Sequence, residues 1–125
     1  MTQPDPVASA QAAIEAQVGA VGAPLPRFRG VTIYKVMGKM FAILEDAKVK
    51  GVILKCDPHL AETLRETYAG VGHRSHLDKR FWVAVILGAD VPDPEVERLI
   101  AHSHAQVCAG LTRKQRAELA ASAPR

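Results

Sequence analysis

The side chains best equipped for chemistry in this sequence are cations: Lys39, Lys55, Arg74, His76, Lys79 and Arg80. Phosphate recognition needs cations on a common face, because each contact neutralises one phosphate and releases counterions. Lys39 and Lys55 fall on neighbouring predicted strands, and Lys79 leads into another, so a shared patch is expected. Three readings fit the set. It contacts nucleic-acid phosphates through the sheet edge, mainly at the backbone and with strong salt dependence. It is a group of solvated edge charges that discourage strand pairing. Or it lines a pocket for a small anion or a protein segment, with Lys39, Lys55, His76 and Lys79 joined by Ser103 and by Trp82 as one wall. Packing within the sheet, with the indole N–H finding one acceptor, is the plainer use of Trp82.

Nothing in the chain assembles a nucleophile with its base. Ser103 stands between two histidines, but adjacent helix positions diverge by about 100°, so neither imidazole faces the hydroxyl. Its expected use is a bond back into its own helix or to a sheet group. Cys56 and Cys108 belong to no CxxC pair and read as two reduced thiols of a cytoplasmic protein. His73 and His76 lie near Asp78. His102 and His104, two apart on a helix, point apart, so no metal set forms. With no GxSxG, P-loop or GxGxxG, no catalytic residue, metal or cofactor is expected, and the chain reads as a non-enzyme.

Those side chains need a scaffold. The 125 residues suffice for one domain with one core, and 48% hydrophobic with 23% charged content fits a globular protein. A net charge of +3 permits an acidic partner without demanding one, and a 5% aromatic share excludes a broad base-stacking surface. No apolar run reaches the ~20 residues of a membrane span, and the N-terminus lacks a signal-peptide pattern.

In chain order, residues 1–6 read as frayed and Val7–Val18 as a first helix. Gly19, Gly22, Pro24 and Pro26 read as a loop. Val31–Val36 and Lys39–Leu44 form a hairpin across Met37-Gly38, and Gly51–Cys56 is a third strand. Asp57-Pro58 starts a helix with Leu60, Leu64 and Tyr68 as its stripe and Gly70 as its stop. A basic loop follows, with a short strand near His73–Leu77, and then Arg80–Leu87 as the central strand. Asp93-Pro94 starts a third helix that buries Val96, Leu99, Ile100, Ser103 and Val107 and ends at Gly110. Thr112 and Gln115 make a capping box for a last helix over 113–121, with 122–125 frayed. The whole is an α+β two-layer sandwich, a mostly antiparallel sheet packed by helices. Strands apolar on both faces, such as FWVAVIL, predict one helix-covered face and a second that is partly covered or used.

Five motifs in order, GKMFA at 38–42, LKCDP at 54–58, LRE at 64–66, HLDKRFW at 76–82 and the proline-led helix with Ser103 followed by Leu111, resemble the MmcQ/YjbR family of small bacterial proteins. The resemblance runs from about Tyr34 to Leu119. It implies a frataxin-like (CyaY-like) α/β fold and carries a DNA-binding label that rests on fold likeness. Between Val7 and Gly30 the chain departs from the family pattern, being rich in small residues where a striped helix is expected.

Overall fold

A computed structural model describes residues 5–122; of the residues expected to fray, 1–4 and 123–125 fall outside them, whereas Asp5 caps the first helix, Pro6 opens it and Ser122 belongs to the last. The helices are α1 (Pro6–Glu15), α2 (Pro58–Thr67), α3 (Asp93–Ala109) and α4 (Arg113–Ser122). The strands are β1 (Ala20–Pro24), β2 (Val31–Val36), β3 (Lys39–Asp46), β4 (Lys50–Lys55), β5 (Val71–Gly72) and β6 (Trp82–Ile86). They form one antiparallel sheet in the order β1-β2-β3-β4-β6-β5. The α+β two-layer architecture is therefore as expected.

Local chemistry sets the element boundaries. Asp5 caps α1 by accepting the Val7 N–H at 3.0 Å, and Asp57 caps α2 by accepting the His59 and Leu60 N–H groups, each with proline as first helical residue. The β2–β3 turn holds Met37 at φ 50° and Gly38 at φ 79°, the two left-handed residues of a tight hairpin. Thr112 Oγ1 accepts from Gln115 N–H while the Gln115 side chain accepts from Thr112 N–H, so the expected capping box closes over α4.

Several elements differ from the sequence reading. The segment read as a glycine–proline loop contains β1. Gly22 is needed there because a Cβ would lie 2.5 Å from the Tyr34 ring. The supposed central strand is fifth in the order and starts at Trp82, leaving Phe81 exposed. The short strand of the basic loop is β5, upstream of His73. Asp93 caps nothing; α3 is capped at Pro92 without a side-chain bond, and Asp93 and Glu95 instead place negative charge in its first turn. Gly70 is not a left-handed helix stop: its own N–H and that of Ala69 donate to Asp90, at 2.8 and 2.7 Å, and a Cβ would meet that carboxylate.

The main core lies between the sheet and α1, α2 and α3 and includes Ile14, Val36, Phe41, Val52, Leu54, Val83, Val85 and Ile100. Ala10 and Ala13 lie where α1 meets this core, so the small residues that depart from the family pattern allow close approach. Ser103 is the one fully buried polar side chain among the described residues. β3 and β4 pair from Asp46↔Lys50 to Ala42↔Leu54. At the next step the Ser103 hydroxyl donates to the Phe41 carbonyl at 2.5 Å and accepts the Lys55 N–H at 2.8 Å. One hydroxyl thus replaces a ladder bond and ties α3 to both strands.

Both sheet edges resist strand addition. Leu25 N–H donates inward to Val31 O at 2.8 Å, so by alternation Ala20, Gly22 and Pro24 turn their main chain outward. Proline has no N–H and Ala20 N–H donates to Gln17 O, which leaves Gly22 as the free outward donor of β1. At the other edge β5 is only two residues long, and where it is absent the Arg65 guanidinium donates to Trp82 O at 2.9 Å and Lys79 O at 2.5 Å.

Removing the buried hydroxyl strands a backbone donor and a backbone acceptor together. Ser103→Ala is expected to lower unfolding stability by about 1–3 kcal/mol, measured by urea denaturation. A loss below about 0.5 kcal/mol, the size of an ordinary surface change, would contradict this role.

Candidate binding face of the sheet

Helices cover one face of the sheet. On the other, Ile43, Ile53 and Ala84 form a second apolar cluster with Val31, Ile33, Met40, Leu77 and Trp82 packed against it. Register explains the pattern. Ile33 pairs with Ile43, Ile43 with Ile53 and Ile53 with Ala84, so one apolar row crosses four strands. Two positions beyond each isoleucine stands a charged residue: Lys35, Glu45 and Lys55. β2 and β4 run together and β3 runs against them, so Lys35 and Lys55 share one end of this face while Glu45 lies at the other. Trp82, the register partner of Lys55, joins the lysine end, and Ile86, the partner of Gly51, the glutamate end.

At the glutamate end the loop between β5 and β6 folds over the face. Arg74 forms an ion pair with Glu45, and Leu77 packs on the apolar cluster. Gly51 lies beneath the pair; a Cβ would sit 3.2 Å from the Glu45 carboxylate and 3.1 Å from Val85 O. Its missing side chain lets the two charges lie flat on β4. Arg65 holds the far end of the same loop through the two carbonyls it bonds.

Between this loop and the segment after β1 runs a groove of about 400 Å³ with a floor of Ile33, Met40, Ile43 and Ile53. Leu25 and Phe28 form one wall, and Arg74, His76 and Leu77 the other. Leu25 and Ile33 also line a neighbouring apolar hollow of about 410 Å³ bordered by Val21, Lys35 and Met37, so the two are contiguous. Val21 and Phe28 are 67% and 60% exposed, large values for residues of their type.

The six cations singled out in the sequence do not form one patch. Lys39 and Lys55 do lie on adjacent strands, but on opposite faces. Lys39 pairs with the core-facing Val36 and its ammonium donates to Gly110 O, the C-cap of α3, at 3.3 Å. A one-residue bulge at Phe41 sets this register and turns the Phe41 ring into the helix layer, edge-on to His104. Arg74 is held by Glu45, and Arg80 by Asp78 at 2.8 Å, where the guanidinium keeps the aspartate carboxyl below its ordinary range. Lys79 is exposed at the far end of the loop, and His76 borders the groove. Ser103, taken as a pocket residue, is sealed between α3 and the sheet on the other side. Trp82 is half-buried on the open face beside Lys55, packed against the apolar cluster, and lines neither of the two hollows.

The residues that sequence reasoning passed over are Lys35, Glu45, Arg65 and the three isoleucines. Their signal was present as a thrice-repeated spacing, Ile-x-Lys, Ile-x-Glu and Ile-x-Lys, at 33–35, 43–45 and 53–55. Reactive groups elsewhere are engaged. His102 Nε2 accepts the Asp57 N–H at 3.1 Å, and a His104 ring nitrogen lies 2.7 Å from Val18 O. Burial pushes the Cys56 thiol up to about 11 and also raises Cys108. Among the described residues no three His, Cys, Asp or Glu side chains gather as a metal site.

Two outcomes follow from this geometry. Glu45→Gln, which frees Arg74, is expected to cost under about 1 kcal/mol globally, as a partly exposed pair should. It should nevertheless speed tryptic cleavage at Arg74 and Lys79 several-fold, and an unchanged cleavage rate would mean that the pair does not hold the loop. At pH 8 a thiol-specific reagent should leave Cys56 unmodified in the folded protein and modify it on denaturation; prompt labelling of Cys56 would place it outside the core.

Curated relatives from Escherichia coli K12 and O157:H7, both named YjbR, are 34% identical over 76 residues, covering 60% of this chain and 64% of theirs. The match thus spans just under two thirds of those relatives. A crystal structure of Deinococcus radiodurans protein DR2400, of domain family DUF419, superposes with a TM-score of 0.77 at 26% identity, covering 88% of this chain and 84% of that one. A Pseudomonas syringae protein shares the fold, with a TM-score of 0.58 at 23% identity over 67% of this chain and 83% of its own. The YjbR family model itself matches residues 23–106, the stretch that contains every row of the open face, and by that match this chain belongs to the YjbR family.

Proposed function

We propose that this chain is a binding module, without a catalytic step of its own, that receives a small apolar molecule on the open face of its sheet. The groove over Ile33, Met40, Ile43 and Ile53 carries this reading. Its volume of about 400 Å³ lies in the range of small-molecule sites, and its lining is apolar with a few charged groups at the walls. Defended edges support a ligand held on the face rather than by an added strand. The absence of an enzymatic role is supported by how the candidate groups are used: the Ser103 hydroxyl is spent on two backbone groups, and the ring nitrogens of His102 and His104 face main-chain atoms.

The nucleic-acid reading has less behind it. Phosphate binding favours free cations on one surface. Here Lys39 serves the opposite face and Arg74 and Arg80 are already neutralised, leaving Lys55, His76 and Lys79 of the original six.

A thermal-shift titration with two neutral probes, decanol and indole, tests the proposal, beside an anisotropy titration with duplex DNA at two salt concentrations. The melting temperature is expected to rise with at least one probe, since a ligand at 100 times its Kd adds about 2.7 kcal/mol to folding. Ile33→Ser, at the groove floor, should abolish the rise. If neither probe raises the melting temperature, and DNA binds at low salt with an affinity that Lys55→Ala with Lys79→Ala weakens, the phosphate-binding reading takes its place.

A further inference from the structure

The open face is electrically lopsided. At its glutamate end the charges cancel within the Arg74–Glu45 pair. At its other end Lys35 and Lys55 stand on β2 and β4, on either side of β3 and its Met40; Lys35 pairs with Met40, and Lys55 lies one residue past the last β3–β4 pair. Neither lysine makes an ion pair among the described residues. Every carboxylate engaged by a side chain or a backbone cap is engaged elsewhere: Asp5 at the start of α1, Glu15 with Tyr34, Glu45 with Arg74, Asp46 with Lys50, Asp57 at the start of α2, Asp78 with Arg80, Asp90 with Ala69 and Gly70, and Glu95 with Arg98. Lys35 is exposed and borders the apolar hollow that joins the groove; Lys55 is half-buried beside Trp82. Two flexible ammonium groups flanking a methionine at the end of an isoleucine row can close on one anion from either side.

From this we infer that the ligand is an amphiphilic carboxylate: an aliphatic or flat aromatic body lies in the groove against Ile33 and Met40, above the buried Ile43 and Ile53, and its acid group is held between Lys35 and Lys55. This rests on the groove reading above and names the chemical class of its occupant. The apolar floor supplies area burial that a hydrated inorganic anion would not use. The paired lysines supply the preference over a neutral molecule of the same shape. Their partly exposed setting keeps each contact modest, so the acid is preferred by about tenfold rather than by thousands.

The only tryptophan of the chain, Trp82, is the register partner of Lys55 and reports on the site directly. Its fluorescence is titrated with decanoate and with decanol, both below micelle formation, at pH 7.5. The same titrations are made on Lys35→Met with Lys55→Met, which keeps the apolar stems, and on Ile33→Ser. Decanoate is expected to bind about tenfold more tightly than decanol. The lysine double variant should bring decanoate down to the level of decanol, and Ile33→Ser should weaken both. Equal binding of acid and alcohol by the unaltered protein would overturn the carboxylate assignment while leaving the groove as an apolar site. An acid preference that survives the double variant would overturn it too, because the head would then lie elsewhere. If neither probe binds the folded protein, the groove reading and this inference fall together.

Discussion

Side-chain alternation is the constraint on which the rest of this molecule depends. Each strand must send one set of residues beneath the helices, and whatever lies between them in sequence is forced onto the other face. Here the buried set is Tyr34 and Val36, Ala42 and Leu44, Val52 and Leu54, and Val83 and Val85. The remainder, Ile33, Ile43, Ile53 and Ala84, has no helix to cover it. A slip of one residue in any strand would exchange the two sets. Two local devices hold the register where slippage would do most harm. The Phe41 bulge absorbs the odd residue between the Met37-Gly38 turn and the apolar row. The Ser103 hydroxyl then bonds to both strands at the end of their ladder.

An apolar row with no helix over it invites aggregation, and the chain limits that risk by burying Ile43, Ile53 and Ala84 under neighbouring side chains. The loop after β5 crosses one end, pinned by Arg74 to Glu45 over the space left by Gly51 and by Arg65 at its root. The segment after β1 turns back along the opposite side with Leu25 and Phe28. What stays open is a channel between two loops rather than a flat patch. The edges that would recruit another strand are closed by a proline, a turn bond and a guanidinium. Association is thereby steered toward something that fits between the loops.

Much of the fold was legible because its signals are local. The Asp57-Pro58 helix start, the Met37-Gly38 turn and the Thr-x-x-Gln box act within a few residues, whereas Asp93-Pro94, the same dipeptide as 57–58, misleads because α3 is capped at Pro92. β1 was not legible, because Gly22 and Pro24 are loop residues by propensity, and only the Tyr34 ring lying across the strand makes glycine necessary. Strand order was not legible either. An apolar run such as FWVAVIL announces burial, not centrality, and β6 is near an edge because β5 is too short to extend the sheet. The site failed to emerge for a related reason. Grouping cations by motif ignored parity: Lys39 and Lys55 are on adjacent strands, yet the bulge at Phe41 and the antiparallel register place them on opposite faces. The Ile-x-charge spacing, counted strand by strand, carries the information that motif proximity lacked.

The division of labour between those two lysines bears most directly on function. Lys39 has a structural use for its charge: it donates to the carbonyl at the end of α3, where the partial negative charge of a long helix gathers. Lys55 has a structural use only for its backbone, whose N–H the Ser103 hydroxyl accepts. Its side chain emerges half-buried on an apolar face, beside an indole and without a carboxylate. A cation in that setting gains no partner among the described residues. A strand needing only to be soluble at this point would do as well with threonine or glutamine. The charge at position 55, and with it that at position 35, is therefore best accounted for by something that arrives from outside and brings the missing anion.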